Sequence, residues 1–359
     1  MSTYSAQANL SRWEMNFTDG EYRNSTDGGT VPVWFYHILI PCIYSVIIVT
    51  GLIGNGLVIY LILRHKNMKT VPNMYILNLA AADFLFILVI IFLAVPYVTK
   101  DWPFGEVMCK LVTGIDGMNM FTGIFTLTAM SVDRYLAIVH AVWSQNHRTI
   151  FHAQVICILL WLVSIAVTIP LWMYATAQQF PGMPSTQCNV NGPFWVMNLF
   201  SQLSFAVGFV LPLVVIMICY TQILIHLAKS SKRQSRYSKS KLGRVGLMIL
   251  MAVAVFVICW LPFWTIRLYL MSGSAGDGNS RMALNFAYYA SQCLTYANSS
   301  LNPVVYACFK QDFRKNLRHH HHHESTRLPV RTTLVDNGNH TAVTASKVSL
   351  PEERALTRH

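Results

Sequence analysis

The sequence predicts an all-α membrane protein, a seven-transmembrane helix bundle with a short amphipathic inner helix. Three observations carry that prediction. Only 12% of the 359 residues are charged, against roughly 25% in an ordinary soluble domain. Mean hydropathy is +0.40, and the apolar residues lie in long runs, which excludes a disordered chain and argues against a soluble enzyme. Prolines interrupt several of those runs (Pro41, Pro96, Pro170, Pro212, Pro262, Pro303), as membrane helices tolerate and soluble helices do not.

A helix crossing the hydrocarbon core needs about 20 mostly apolar residues. Seven stretches qualify, near Trp34–Leu63, Val71–Thr99, Val107–Val139, Phe151–Tyr174, Trp195–Leu227, Val245–Met271 and Met282–Ala307. The first, fourth and fifth contain no Asp, Glu, Lys or Arg, whereas the third carries Asp116, Asp133 and Arg134. Basic residues near the span ends set the orientation. One side gathers Arg64, Lys66, Lys69, Arg148, the seven basic residues of Lys229–Arg244, and Lys310, Arg314, Lys315 and Arg318. The other side has Arg12, Arg23, Lys100, Lys110 and Arg281. The N-terminus is therefore expected outside and the C-terminus in the cytoplasm, in a multi-pass plasma-membrane protein. The net charge of +12 then belongs to a lipid bilayer surface and not to nucleic acid.

Residues 1–33 are expected to form an extracellular glycosylated tail. They are polar, contain no apolar run resembling a cleavable leader, and hold three sequons, at Asn9, Asn16 and Asn24. Residues 34–317 form the bundle plus an inner helix at Phe309–Leu317, and 318–359 a disordered cytoplasmic tail. Eight cysteines make no CxxC or CxxH pair, so neither a zinc site nor a disulfide scaffold is indicated. Cys109, at the outer start of the third span, and Cys188, in the loop before the fifth, are the two expected to face the oxidising exterior, and a disulfide between them would pin that loop.

An ionisable side chain deep in a bilayer costs at least ~2.5–3.5 kcal/mol and commonly marks a functional site. The alternative is a structural polar contact between helices. Asp116 lies two turns inward of Cys109, so it faces an outer cavity. Asp116 and Arg134 are eighteen residues, five turns, apart on one face of one helix, about 27 Å along its axis. An acid toward the outside and a base toward the inside suit a transmembrane relay. Asp83 has neutral oxygens at matching depth on Asn119, Asn298, Ser299 and Asn302, a set that suits a sodium ion or a hydrated hydrogen-bond network. Arg267, high in the sixth span, is the remaining buried charge.

The motifs then resemble one family. Gly-Asn-Gly at 54–56, Leu-Asn-Leu-Ala-Ala-Ala-Asp at 77–83, Trp-Pro-Phe-Gly at 102–105 and Asp-Arg-Tyr at 133–135 occur in order. Trp161, Pro212 with Tyr220, Phe256-x-x-x-Trp260-x-Pro262 and Asn302-Pro303-x-x-Tyr306 follow, one set per span. Together they look like a rhodopsin-class (class A) G-protein-coupled receptor over residues 34–317. The segments 112–122, 259–263 and 294–299 are most similar to peptide-binding somatostatin receptors and their opioid and allatostatin-C relatives. The resemblance implies a neuropeptide receptor in which Asp116 meets a basic ligand residue, with Met120, Trp260, Phe263, Arg267, Gln292 and Tyr296 around it. It implies signalling through inhibitory heterotrimeric G proteins to lower cyclic AMP. It also assigns activation to Asp133, Arg134, Tyr135, Tyr220, Pro262, Asn302, Pro303 and Tyr306. The chain departs from the pattern at Gly123, where relatives usually supply a sodium-shell serine, at Met120, Arg267 and Ala141, and in having no cysteine after Cys308.

An opioid-like peptide receptor or a biogenic amine receptor is the alternative. Amine sites typically use several hydroxyls of the fifth span, and here Ser204 is followed by Phe205 and Gly208. A retinal pigment would need a lysine in 282–307, which has none. No nucleophile–base arrangement suggests an enzyme, and His319–His323 reads as a low-complexity run. Serines of the third inner loop and hydroxyls of the tail (Ser325, Thr326, Thr332, Thr333) are candidate sites for receptor kinases and arrestin recruitment. With no acid between Lys239 and Met251, Arg134 is expected to be held at rest by Asp133 alone.

Overall fold

The computed structural model describes residues 34–179, 185–229, 236–271 and 278–309, all within one compact unit, Met1–Asn316. The sequons at Asn9, Asn16 and Asn24, the inner helix after Phe309, the histidine run and the tail lie outside those residues. The first span is a π-helical turn, Phe35–Leu39, running into Ile40–Arg64, and the second is Val71–Thr99. The third, Gly105–Val139, packs against spans two, four, five and six and is the axis of the bundle. The sixth is Arg236–Met271 and the seventh Gly278–Phe309. Among the described residues five helices are long and apolar enough to cross a bilayer. The third and seventh fall short because they carry the polar residues of the bundle's interior.

Two expected spans are not uniform helices. The fourth is Ile150–Val167, a break at Thr168, and a short continuation Ile169–Tyr174 with Pro170 in its first turn. Proline has no N–H to give the preceding turn and fixes its own φ. The fifth is Phe194–Phe205, a π-helical turn at Ala206–Val210, and Leu211–Lys229, the turn lying just before Pro212. Such bulges inside an α-helix re-aim the residues on either side. The expected third inner loop, Lys229–Arg244, is also partly helical, since the sixth helix starts at Arg236. Ala141–His147 forms a further short helix after Asp-Arg-Tyr.

The loop before the fifth span is a hairpin, β1 (Ala175–Gln179) paired antiparallel with β2 (Thr186–Val190). Cys188 on β2 is joined to Cys109, as expected. A second tie fixes the register of the hairpin against the bundle. Thr186 N–H donates to Asp101 Oδ1 at 2.7 Å, and Trp102 N–H donates to Thr186 O at 2.9 Å. Trp102 Nε1 in turn donates to Gly105 O, at a residue whose φ of +74° favours glycine.

Candidate functional site

Asp116 sits between two close approaches. A Cβ on Gly114 would lie 2.2 Å from Trp172, and one on Gly117 would lie 2.3 Å from Leu171. Both partners belong to the continuation of the fourth span, so glycines on either side let it press against the third helix. That packing fixes the depth and direction of the carboxylate. Asp116 is half-buried and makes no hydrogen bond or ion pair among the described residues. Its electrostatic neighbour is Tyr296 of the seventh span, whose hydroxyl accepts from Gln292 Nε2 at 3.0 Å. Tyr296 thus stands between Asp116 and Gln292, which the structure links through it.

Below them is an aromatic floor. Phe209, Phe256, Trp260 and Phe263 follow one another with ring centroids 5.8–6.1 Å apart, and Phe263 reaches Tyr288 at 6.2 Å. Trp260 Nε1 is buried with no acceptor. Met120 shares the face of Asp116 one turn on and packs toward Gly208, in the π-helical turn. Arg267 is half-buried, one turn beyond Phe263, and forms no ion pair among the described residues. Ser201 and Ser204, one turn apart on the fifth span, are both buried with unpartnered hydroxyls. The sequence reading weighed Ser204 alone.

At mid-depth Asp83 Oδ2 accepts from Asn302 Nδ2 at 2.7 Å, and Ser299 and Asn119 also approach the carboxylate. Asn119 Nδ2 donates to Ser299 Oγ at 3.1 Å, while the amide oxygens of Asn119 and Asn298 are buried without a donor. A carboxylate beside a hydroxyl and the orphaned amide oxygen of Asn119 is a donor set that fits a monovalent cation. Asn302 differs from expectation, because it offers its N–H to Asp83 instead of an oxygen. Gly123 has room: a Cβ there would meet only Leu79, at 3.8 Å. Asn55 links this layer to the first span by donating to Ser299 O at 2.9 Å. Pro303 seats against Gly54.

The inner layer contains a residue that the sequence reading passed over. Asp133 accepts from its neighbour Arg134 at 3.0 Å, and also from Arg148 Nε at 2.6 Å and Nη2 at 2.8 Å. Asp133 alone was expected to hold Arg134, and instead one buried carboxylate is shared by two guanidiniums. The sequence counted Arg148 only toward orientation. A lone base fifteen residues past an acid, across a connection of unassigned shape, carries no spacing rule. Tyr220 Oη of the fifth span ties the inner end of the sixth helix by donating to Gly246 O at 2.9 Å. Tyr135 pairs with His140, and Tyr306 is buried near Asp83 with its hydroxyl unpartnered. Trp161, a motif residue in the sequence, makes a structural bond: Nε1 donates to Asn78 Oδ1 at 2.8 Å, and Asn78 Nδ2 donates to Thr126 Oγ1 at 2.8 Å. Spans two, three and four are tied by these two contacts.

A helical bundle whose third helix carries an unpartnered outer acid and a clamped inner arginine matches one family model. Residues 54–306 match the 7 transmembrane receptor (rhodopsin family). The chain belongs to that family. It is a family of multi-pass membrane receptors and not of enzymes. The chain is 37% identical over 286 residues to somatostatin receptor type 4 of Rattus norvegicus, covering 78% of this chain and 72% of the relative. It is 41% identical over 288 residues to somatostatin receptor type 2 of Mus musculus and 40% identical over 288 residues to that of Sus scrofa, covering 77% of this chain and 75% of each relative.

Proposed function

We propose that this rhodopsin-family receptor binds a somatostatin-like or allatostatin-C-like neuropeptide and signals through inhibitory G proteins to lower cyclic AMP. The observation that carries the reading is Asp116, an acid held at fixed depth with no partner of its own above an aromatic floor. A half-buried carboxylate with no internal partner is stabilised by a ligand cation, and the relatives' names point to a peptide as its source. The N-terminus is outside and the C-terminus cytoplasmic, with ligand entering at the disulfide end and the G protein, receptor kinases and arrestin at the Asp-Arg-Tyr end.

The mechanism is a population shift. A ligand contacting Asp116, Tyr296 and the Trp260–Phe263 floor favours an arrangement in which the sixth helix swings outward at its inner end. Pro262 lies inside that helix and supplies the weak point, since it removes a backbone hydrogen bond. The swing breaks Tyr220–Gly246 and opens the surface around Arg134. A sodium ion held by Asp83, Asn119, Asn298 and Ser299 would supply charge neutralisation at mid-depth and favour the resting state.

Expression in cells with forskolin-elevated cyclic AMP tests the reading. Somatostatin or a related cyclic neuropeptide should lower cyclic AMP in a manner abolished by pertussis toxin. A response to amines and to no peptide would overturn it in favour of an amine receptor. That second reading is supported by the paired hydroxyls of Ser201 and Ser204.

A further inference from the structure

On the outer wall of the bundle, at the Asp-Arg-Tyr end, lies a groove of about 660 Å³. Its walls are the inner half of the third helix, the fourth span, and the short helix Ala141–His147, with Tyr75 of the second span as its back. One end is apolar, lined by Phe125, Ile156, Leu160 and Val163. The other end is lined by Arg148, His147, His152 and Trp143. From Thr149 to Val163 is fourteen residues of helix, about 21 Å at 1.5 Å per residue. That is the depth of one leaflet, half a hydrocarbon core of ~30 Å plus its headgroup layer.

The basic end is built for an anion. Arg148 gives two donors to Asp133, and a guanidinium has five. The other three have no partner among the described residues, and the side chain is 24% exposed. Asp133 is the acid in the lining, and its side chain is only 6% exposed and already shared by two arginines. Two imidazoles stand beside Arg148, and one of them, His147, lies stacked on Trp143 with ring centroids 4.5 Å apart and planes within 5°. Trp143 is half exposed, as tryptophans at a membrane interface are. The surface therefore offers positive charge at headgroup level and a greasy slot running inward from it.

We propose that this groove is a binding site for an anionic phospholipid, with one acyl chain lying along Ile156 and Leu160 and the phosphate at Arg148, His147 and His152. The lipid sits on the same arginine that holds Asp133, so the occupied groove touches the inner latch directly.

The test is retention of lipid by the purified full-length receptor in nanodiscs. Discs of phosphatidylcholine carry a few per cent of either phosphatidylserine or cholesterol, and bound lipid is counted by native mass spectrometry after gentle release. Wild type should retain one phosphatidylserine in preference to phosphatidylcholine. Arg148→Gln should cut that preference about fivefold, the share of one basic residue at a membrane surface. Ile156→Trp keeps every charge and fills the slot, so it should abolish the retained copy. His147→Gln with His152→Gln leaves the Asp133 clamp untouched and should also reduce the preference, which separates headgroup binding from damage to the latch. Equal retention of phosphatidylcholine, retention of cholesterol in place of phosphatidylserine, or a preference indifferent to Ile156→Trp would each overturn the proposal.

Discussion

Asp116→Asn is the sharpest perturbation of the proposed ligand contact. The change is nearly isosteric, and Asp116 makes no hydrogen bond within the protein among the described residues, so the substitution strands no internal partner. The glycines at 114 and 117 keep their contacts with Trp172 and Leu171, and the backbone should not move. What is lost is confined to the ligand. Removing one member of a buried charge pair leaves the other charge desolvated, at about 3–5 kcal/mol. At 1.4 kcal/mol per tenfold, affinity should fall more than ~100-fold.

The measurement is competition binding of labelled somatostatin on membranes matched for surface receptor, run as a double-mutant cycle. The second axis is a peptide whose lysine is replaced by norleucine. If Asp116 meets that cation, each change alone should cost most of the effect, and the two together should cost little more. Binding within threefold of wild type, or fully additive losses, would refute the assignment. In the additive case Asp116 would be a structural carboxylate and the cation would dock elsewhere.

The remaining predictions follow from other layers of the bundle. Cys109→Ser and Cys188→Ser should each abolish high-affinity binding or surface delivery, with the double variant no worse, as read by flow cytometry and ligand binding. Gly123→Ser should fit beside Leu79 and strengthen the sodium sensitivity of agonist affinity toward the 5–150-fold range of typical couplings, and Asp83→Asn should erase it. Displacement binding with sodium exchanged for a bulky organic cation at fixed ionic strength decides this. Asp133→Asn removes three charge-assisted bonds from Arg134 and Arg148 and should raise ligand-independent signalling severalfold in a cyclic-AMP assay. Arg267→Asn should weaken a peptide with a free C-terminal carboxylate by about tenfold or more, the value of one charge-assisted hydrogen bond, and its amidated analogue far less. Equal losses would assign Arg267 to packing.

Much of the bundle was legible because one constraint dominates. In hydrocarbon every backbone polar group must be satisfied within its own helix, so an apolar run of sufficient length has a single outcome. The irregularities were not legible for the same reason. The break at Thr168 and the π-helical turn at Ala206–Val210 occur inside runs that carry no charged residue, and composition does not distinguish a bulged helix from a straight one. Prolines at 170 and 212 marked their neighbourhoods without saying which hydrogen-bond pattern would result. The hairpin was hidden because strands of five mixed residues resemble any loop.

The site divides along a similar line. Relations within one helix follow from 3.6 residues per turn, which is why the sequence relates Asp116 to Arg134 on the single helix Gly105–Val139. Relations between helices depend on packing that no spacing encodes, and there the reading was partial. The sequence has no acid between Lys239 and Met251 to hold Arg134 from the sixth helix, although an acid is the obvious partner of a base. The structure solves the problem from the other side, placing a second base on Asp133. One carboxylate between two guanidiniums leaves the cluster with net positive charge, so Asp133 is divided between two claimants and holds Arg134 less firmly than a private ion pair would. In the proposed population shift Arg134 is released, and that divided grip makes its release easier; the proposed anion at Arg148 would tune it.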